Sequence, residues 1–83
     1  MSLVNDILAI NGVASMHRGQ FGEIALLFPG SRVPGIRCSN EGVEVHVVAK
    51  RTAGDLHKLA DAIRTQASSH TDAPVDVYIG DIE

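Results

Sequence analysis

The sequence predicts an α+β two-layer sandwich, in which two helices pack on one face of a small mixed β-sheet. Three neighbouring patterns support this class. Residues 43–50 alternate like a strand, residues 56–67 carry apolar side chains at helical spacing, and residues 75–82 alternate again. A strand, a helix and a strand of these lengths favour a crossover with parallel strands. We expect a single domain over residues 1–83, with the approximate order α-β-β-β-β-α-β.

The first half of the chain is predicted to contain a helix and three short strands. Apolar residues over 3–10 have near-helical spacing, and Asn11-Gly12 is a stop signal because both residues tolerate left-handed backbone. The three strands are predicted over residues 13–18, 23–28 and 33–38. The sequence of the second predicted strand, residues 23–28, is also compatible with a turn of helix. Pro34 lacks an amide donor, which predicts an edge or a bulge in the third.

The second half contains the clearest strand and the longer helix. Ser39 to Gly42 has the residues of a hairpin turn and should lead into the strand over 43–50. Thr52 and Asp55 have the spacing of a capping box, which predicts a helix over 53–69. We expect the apolar stripe of this helix to cover the valine face of the sheet.

The composition restricts the class of protein. A single cysteine excludes an internal disulfide and a multi-cysteine metal site, so a reducing interior is the default. The opening residues lack a basic region and the apolar run ends by Ile10, so we expect no signal peptide, no spanning helix and a cytoplasmic location. The formal net charge is −3, whereas a general nucleic-acid binder usually has a basic surplus. Nucleic acid is therefore a disfavoured partner.

No catalytic, cofactor or metal motif stands out. A three-ligand metal site of Cys38, His46 and Asp76 depends on the hairpin register, and surface histidines are the favoured interpretation. Cys38 as a nucleophile needs an adjacent base, and a small core residue is the favoured interpretation. Gly19-Gln20-Phe21-Gly22 matches the four-letter loop of KH-type RNA binders, but it follows a predicted strand. We expect no catalytic residue, no cofactor and no metal.

The predicted layout leaves one face of the sheet uncovered. Glu44 and His46 point to that face, and Asp76 and Tyr78 join them if the last strand lies alongside. Tyrosine is a favoured anchor of protein interfaces. These four residues are therefore the predicted partner surface, with Tyr78 as its first candidate anchor.

Several segments together resemble a known family. They are Ile10 to Val13, Phe21 to Glu23, Pro29 to Gly35, Gly42 to Val48, the helical positions Leu56, Leu59, Ala60 and Ile63, and Val75 to Ile82. With these patterns the chain resembles the alkaline shock protein family, also called the Gls-type envelope stress response family. It is most similar to the short actinobacterial members, and the resemblance covers nearly the whole chain.

The resemblance implies a non-enzymatic bacterial protein of the envelope and general stress response, with a role in cell-envelope homeostasis. The family has no established catalytic residues, so none is carried over to this sequence. Some members lie in the cytoplasm and are held at the membrane by a membrane-anchored partner. The expected partner is therefore a protein, either a membrane-anchored relative or a second copy of the chain, and direct membrane insertion is not expected.

A small KH-like RNA-binding module is the alternative. The predicted order of elements is close to the bacterial KH arrangement, and phosphate binding would require the basic residues of the first half to cluster in space. Those residues are Arg18, Arg32, Arg37, Lys50 and Arg51. The sequence leaves open whether the arginine-containing loops or the exposed sheet face forms the contact surface.

Overall fold

A computed structural model of the protein describes residues 3–19, 24–28 and 31–83. Within these ranges it contains two α-helices, α1 (Leu3–Leu8) and α2 (Leu56–Ser68), and six strands. The strands are β1 (Val13–Met16), β2 (Ala25–Phe28), β3 (Ser31–Pro34), β4 (Ile36–Ser39), β5 (Gly42–Ala49) and β6 (Val75–Ile82). The predicted class, a mixed sheet with two helices, is confirmed.

The central strand of the main sheet is β5. One of its edges pairs in parallel with β6, as the strand–helix–strand pattern predicted. Its other edge is shared by two antiparallel strands: β4 pairs with the first half of β5 and β1 pairs with the second half. Only β5 therefore has strand partners along both edges among the described residues, and β6 lies at the border of the sheet.

The predicted third strand over 33–38 is divided in two at Gly35. The first part, β3, pairs with β2 in a separate two-stranded hairpin, and the second part, β4, belongs to the main sheet. Gly35 passes so close to the main sheet that a Cβ there would lie 2.8 Å from Met16 Cβ and 2.9 Å from the carbonyl oxygen of His46. Pro34 ends β3, whose only described partner is β2, as its missing amide donor predicted.

An aliphatic core lies between the sheet and the two helices. Among the side chains that the structure describes, the largest fully buried ones are Ile7 of α1, Ile63 of α2, and Val45 and Val47 of β5. The other buried members in this described set are Val13, Ile36, Ala49, Leu59, Ala67 and Val75. No polar or charged side chain is buried in the described part of the chain. The hydrophobic effect acting on these aliphatic side chains thus holds α2 against the valine face of the sheet, as predicted.

The start of α2 differs from the prediction. Asp55 is the N-cap: its Oδ1 accepts from the backbone N–H of His57 at 2.9 Å and of Lys58 at 3.3 Å. The capping box with Thr52 at the cap is therefore wrong, because Arg51–Ala53 form a separate 3-10 turn and Gly54 leaves helical geometry at φ 78°, ψ −119°. The helix begins three residues later than the predicted residue 53.

Most of the four-letter segment that matches the KH-type loop, Gln20 to Gly22, lies outside the described residues, as does the Pro29-Gly30 pair of the family pattern. The described elements on either side of that loop, β1 and β2, are both strands.

Candidate interaction surface

The four residues of the predicted partner surface lie together on the sheet face opposite the helices. The parallel register places Glu44 beside Asp76 and His46 beside Tyr78. Of the alternate residues of the same strands, Val45, Val47 and Val75 are buried under the helical layer, and Val77 and Ile79 are partly buried. We call this surface, formed by Glu44, His46, Asp76 and Tyr78, the open face.

The two rings on the open face are stacked. The imidazole of His46 and the phenol ring of Tyr78 have centroids 4.7 Å apart and planes inclined by only 15°. Tyr78 remains 45% exposed, whereas the His46 side chain is 14% exposed. The imidazole therefore packs against one face of the phenol ring, and the rest of the Tyr78 side chain faces solvent.

The imidazole of His46 also contacts the carboxylate of Glu44. Oε1 of Glu44 lies 3.0 Å from Nε2 of His46 and 3.9 Å from Nη1 of Arg37. Arg37 is on β4, directly across from Glu44. The sequence interpretation did not place Arg37 on this surface, although its two-residue hairpin turn, Asn40-Glu41, fixes the register that brings it there.

A second histidine lies on the same face. The backbone N–H of His17 donates to the carbonyl of His46 at 2.8 Å, and its Nδ1 accepts from the N–H of Gly19 at 3.1 Å. A Cβ added at Gly80 would lie 3.0 Å from ring carbons of His17, so the imidazole occupies the space that a side chain would take. The register of β5 and β6 shifts at this point, between Val47 and Val48. Glycine within an alternating strand signals such a bulge or close approach, and the sequence interpretation missed it.

The flank of the open face formed by β6 is acidic. Asp76, Asp81 and Glu83 are all exposed. No hydrogen bond or ion pair joins the carboxylate of Asp76 to any residue that the structure describes. Residues 70–83 contain four carboxylates and no lysine or arginine. This part of the surface therefore attracts cations and repels phosphate groups.

The three residues considered as metal ligands, Cys38, His46 and Asp76, do not converge in the structure. Cys38 pairs with Val43 across the hairpin, on the face that carries the valines, whereas His46 points to the open face. No three potential metal ligands converge in the described part of the chain. The interpretation of Cys38 as a small core residue is wrong: its side chain is exposed, and Ile36 is the only buried residue of β4.

A shallow concavity lies beside the start of α2. It has a volume of about 200 Å³ and is lined by Asn11, Ala53, Asp55, Lys58, Leu59 and Ala62. The carboxylate of Asp55 already caps the helix. The carboxylate of Asp55 in this pocket therefore has a structural role at the start of α2.

No protein-family model, curated protein or solved structure matches this chain. No helix among the described residues is both long and apolar enough to span a membrane.

Proposed function

We propose that this protein is a non-enzymatic interaction module of the bacterial envelope and general stress response, and that it binds a protein partner through its open face. The stress-response assignment and the absence of catalysis rest on the resemblance to the alkaline shock protein family. The resemblance also supports a cytoplasmic location, with contact to the membrane made through an anchored partner.

The observation that carries the binding role is the stacked pair of His46 and Tyr78. An exposed tyrosine usually loses side-chain freedom when a partner covers it, and that loss weakens binding. Here the ring is already held by the imidazole at a centroid distance of 4.7 Å. A partner that covers Tyr78 therefore gains a large contact area at a small entropic cost, which is the property of an interface anchor.

The acidic flank supports a protein partner over RNA. Asp76 lies directly beside Glu44 in the register of the two strands. Binding RNA across this face would bring phosphates towards these carboxylates, and like charges placed at an interface are unfavourable. A partner surface that carries arginine or lysine fits the same carboxylates.

The test compares two variants that remove similarly exposed side chains from different surfaces. Tyr78 is 45% exposed on the open face and Leu8 is 42% exposed on α1. Affinity capture from a bacterial host under envelope stress, followed by mass spectrometry, should lose specific partners with Tyr78→Ala and keep them with Leu8→Ala. Identical partners for the wild type and Tyr78→Ala would refute the assignment of this surface.

The KH-like alternative is separated by a titration with mixed-sequence RNA. Binding through phosphates would be tight at low salt and would weaken steeply as salt is added. We expect no binding at low salt. Salt-sensitive binding that is lost in an Arg37→Ala variant would instead favour the alternative.

A further inference from the structure

The outer edge of β6 borders the open face and presents backbone groups in addition to side chains. β6 is eight residues long and pairs with β5 along its inner edge. No strand in the described ranges pairs with its outer edge. A border strand of this length presents a row of unpaired backbone groups that another extended chain can use.

The hydrogen-bond register identifies those groups. The carbonyl of Pro74 accepts from the N–H of Val43 at 2.8 Å, so residue 74 directs its backbone polar groups at β5. Successive residues of a strand direct these groups to opposite edges of the strand. Val75, Val77 and Ile79 therefore direct their N–H and C=O groups outward, whereas Tyr78 directs its groups at β5.

In the two middle rows of the valine face, the side chains of β6 are less buried than their neighbours on β5. Val45 and Val47 are fully buried, but their neighbours Val77 and Ile79 are only partly buried. The side chains of Val77 and Ile79 point to the helical layer, and their outer flanks lack the neighbouring strand that covers Val45 and Val47. An added strand with aliphatic side chains on this side would cover them and remove apolar surface from water.

The charge of the outer edge of β6 indicates which kind of added strand could bind to it. Residues 70–83 contain four carboxylates and no lysine or arginine. Two copies of the chain paired edge to edge would bring Asp76 and Asp81 of each copy towards the carboxylates of the other. Like charges on paired strands are destabilising, whereas opposite charges stabilise the pair. The edge is therefore unsuited to a second copy and suited to a basic segment.

The inner side of the sheet shows the pairing that such a segment would repeat. On β4, Arg37 lies across from Glu44, and Glu44 lies beside Asp76. In the next row, Ile36 lies across from Val45, and Val45 lies beside Val77. A strand added beyond β6 would extend the first row with a basic residue and the second with an aliphatic residue.

We propose that the outer edge of β6 binds an extended basic segment of a protein partner as an added strand, in which basic and aliphatic residues alternate. The inference rests on the proposed protein-binding function and adds the chemistry of the partner. Backbone hydrogen bonds to Val77 and Ile79 supply the pairing. The basic side chains lie beside Asp76 and over the ring of Tyr78, where a guanidinium also gains a cation–π contact.

The probe is a synthetic, fluorescently labelled peptide of alternating arginine and valine, and its binding is measured by fluorescence anisotropy. A peptide with glutamate in place of arginine tests the charge. A peptide with the same side chains and N-methylated backbone amides tests the strand pairing. We expect the arginine–valine peptide to bind, the N-methylated peptide to bind at least about tenfold more weakly, and the glutamate peptide not to bind.

A pair of variants tests the same edge on the protein. Val77→Pro removes an outward N–H that β5 does not use, and Val77→Ala removes the same side chain but keeps the N–H. We expect Val77→Pro to bind the peptide about tenfold more weakly than Val77→Ala does. Asp76→Asn should weaken binding by about threefold, and this loss should disappear at high salt.

Amide hydrogen exchange of the wild-type protein provides a readout that requires no variant to fold. In the free protein, the amides of Val77 and Ile79 should exchange quickly and the amide of Tyr78 slowly. With the peptide bound, the amides of Val77 and Ile79 should become protected. Protection that appears without peptide and rises with protein concentration would overturn the proposal in favour of a second copy.

These experiments distinguish peptide binding at the outer edge of β6 from peptide binding at the open face. Peptide binding that Tyr78→Ala abolishes, but that neither N-methylation nor Val77→Pro affects, would overturn the added strand and leave the open face as the binding surface. Absence of binding by the arginine–valine peptide would also overturn the inference. The capture experiment with Tyr78→Ala would then decide the proposed function on its own.

Discussion

His70 and Asp6 are joined by a hydrogen bond of 2.7 Å between Nε2 and Oδ2, although 64 residues separate them in the sequence. His70 follows the end of α2, and Asp6 lies in α1. Both side chains are largely covered, with 21% and 23% of their surface exposed. This contact fixes the loop after α2 to a helix of only six residues, which would not be stable on its own.

Removing either partner of this contact should destabilise the fold. We expect His70→Ala and Asp6→Ala each to lower the free energy of unfolding by about 1 kcal/mol, because a hydrogen bond to a charged group is lost. Urea unfolding of both variants measures the effect, and His57→Ala, at an exposed position of α2, is the control. In a double variant the losses should be less than additive. Fully additive losses would show that the two side chains act independently.

Stability measurements can distinguish Asp55 from Thr52 as the N-cap of α2. Asp55→Ala leaves the N–H groups of His57 and Lys58 without their acceptor and should cost about 1 kcal/mol of stability. Thr52→Ala should cost little, because the 3-10 turn and Gly54 separate Thr52 from the helix. Thermal unfolding of the two variants checks this order. A larger loss for Thr52→Ala would restore the capping box that the sequence spacing suggested.

Two glycines with positive φ should respond differently to alanine. A Cβ at Gly42 would lie 2.4 Å from the carbonyl oxygen of Pro74, and φ there is 143°. Gly54 has φ 78°, but a Cβ there would meet nothing within 4 Å. We expect Gly42→Ala to cost about 3 kcal/mol or more, since backbone strain and a steric clash combine, and Gly54→Ala to cost about 1 kcal/mol. Equal losses in urea unfolding would mean that the strands separate at Pro74 to accept the methyl group.

Alternation, together with the parallel direction of β6, was enough to predict which residues share the open face. In β5 and β6, residues two apart point to the same side, so the parallel pairing brings Glu44 beside Asp76 and His46 beside Tyr78. This prediction needed only the strand bounds and the direction of β6. The length of the intervening helix indicated that direction.

Features set by tertiary contacts were not predictable in the same way. The chain divides at Gly35 because it passes against Met16 and the carbonyl of His46, and neither contact leaves a local pattern in the sequence. Cys38 is exposed although Ile36, two residues before it on the same face, is buried, because alternation shows only which face a residue is on and not how well that face is covered. The position of His17 over Gly80 depends on a register shift, which only the glycine within β6 signals.

The stack of His46 on Tyr78 can be tested without any partner, because Tyr78 is the only tyrosine and the chain has no tryptophan. Intrinsic fluorescence therefore reports on this ring alone. His46→Ala should lower the fluorescence anisotropy of Tyr78, since the support on one side of the ring is removed, and should reduce stability by about 1 kcal/mol. Glu44→Gln keeps a side chain of the same size beside the imidazole and should leave the anisotropy nearly unchanged. If His46→Ala left the anisotropy at the wild-type value, Tyr78 would be held by other contacts, and its proposed role as a pre-oriented anchor would lose its basis.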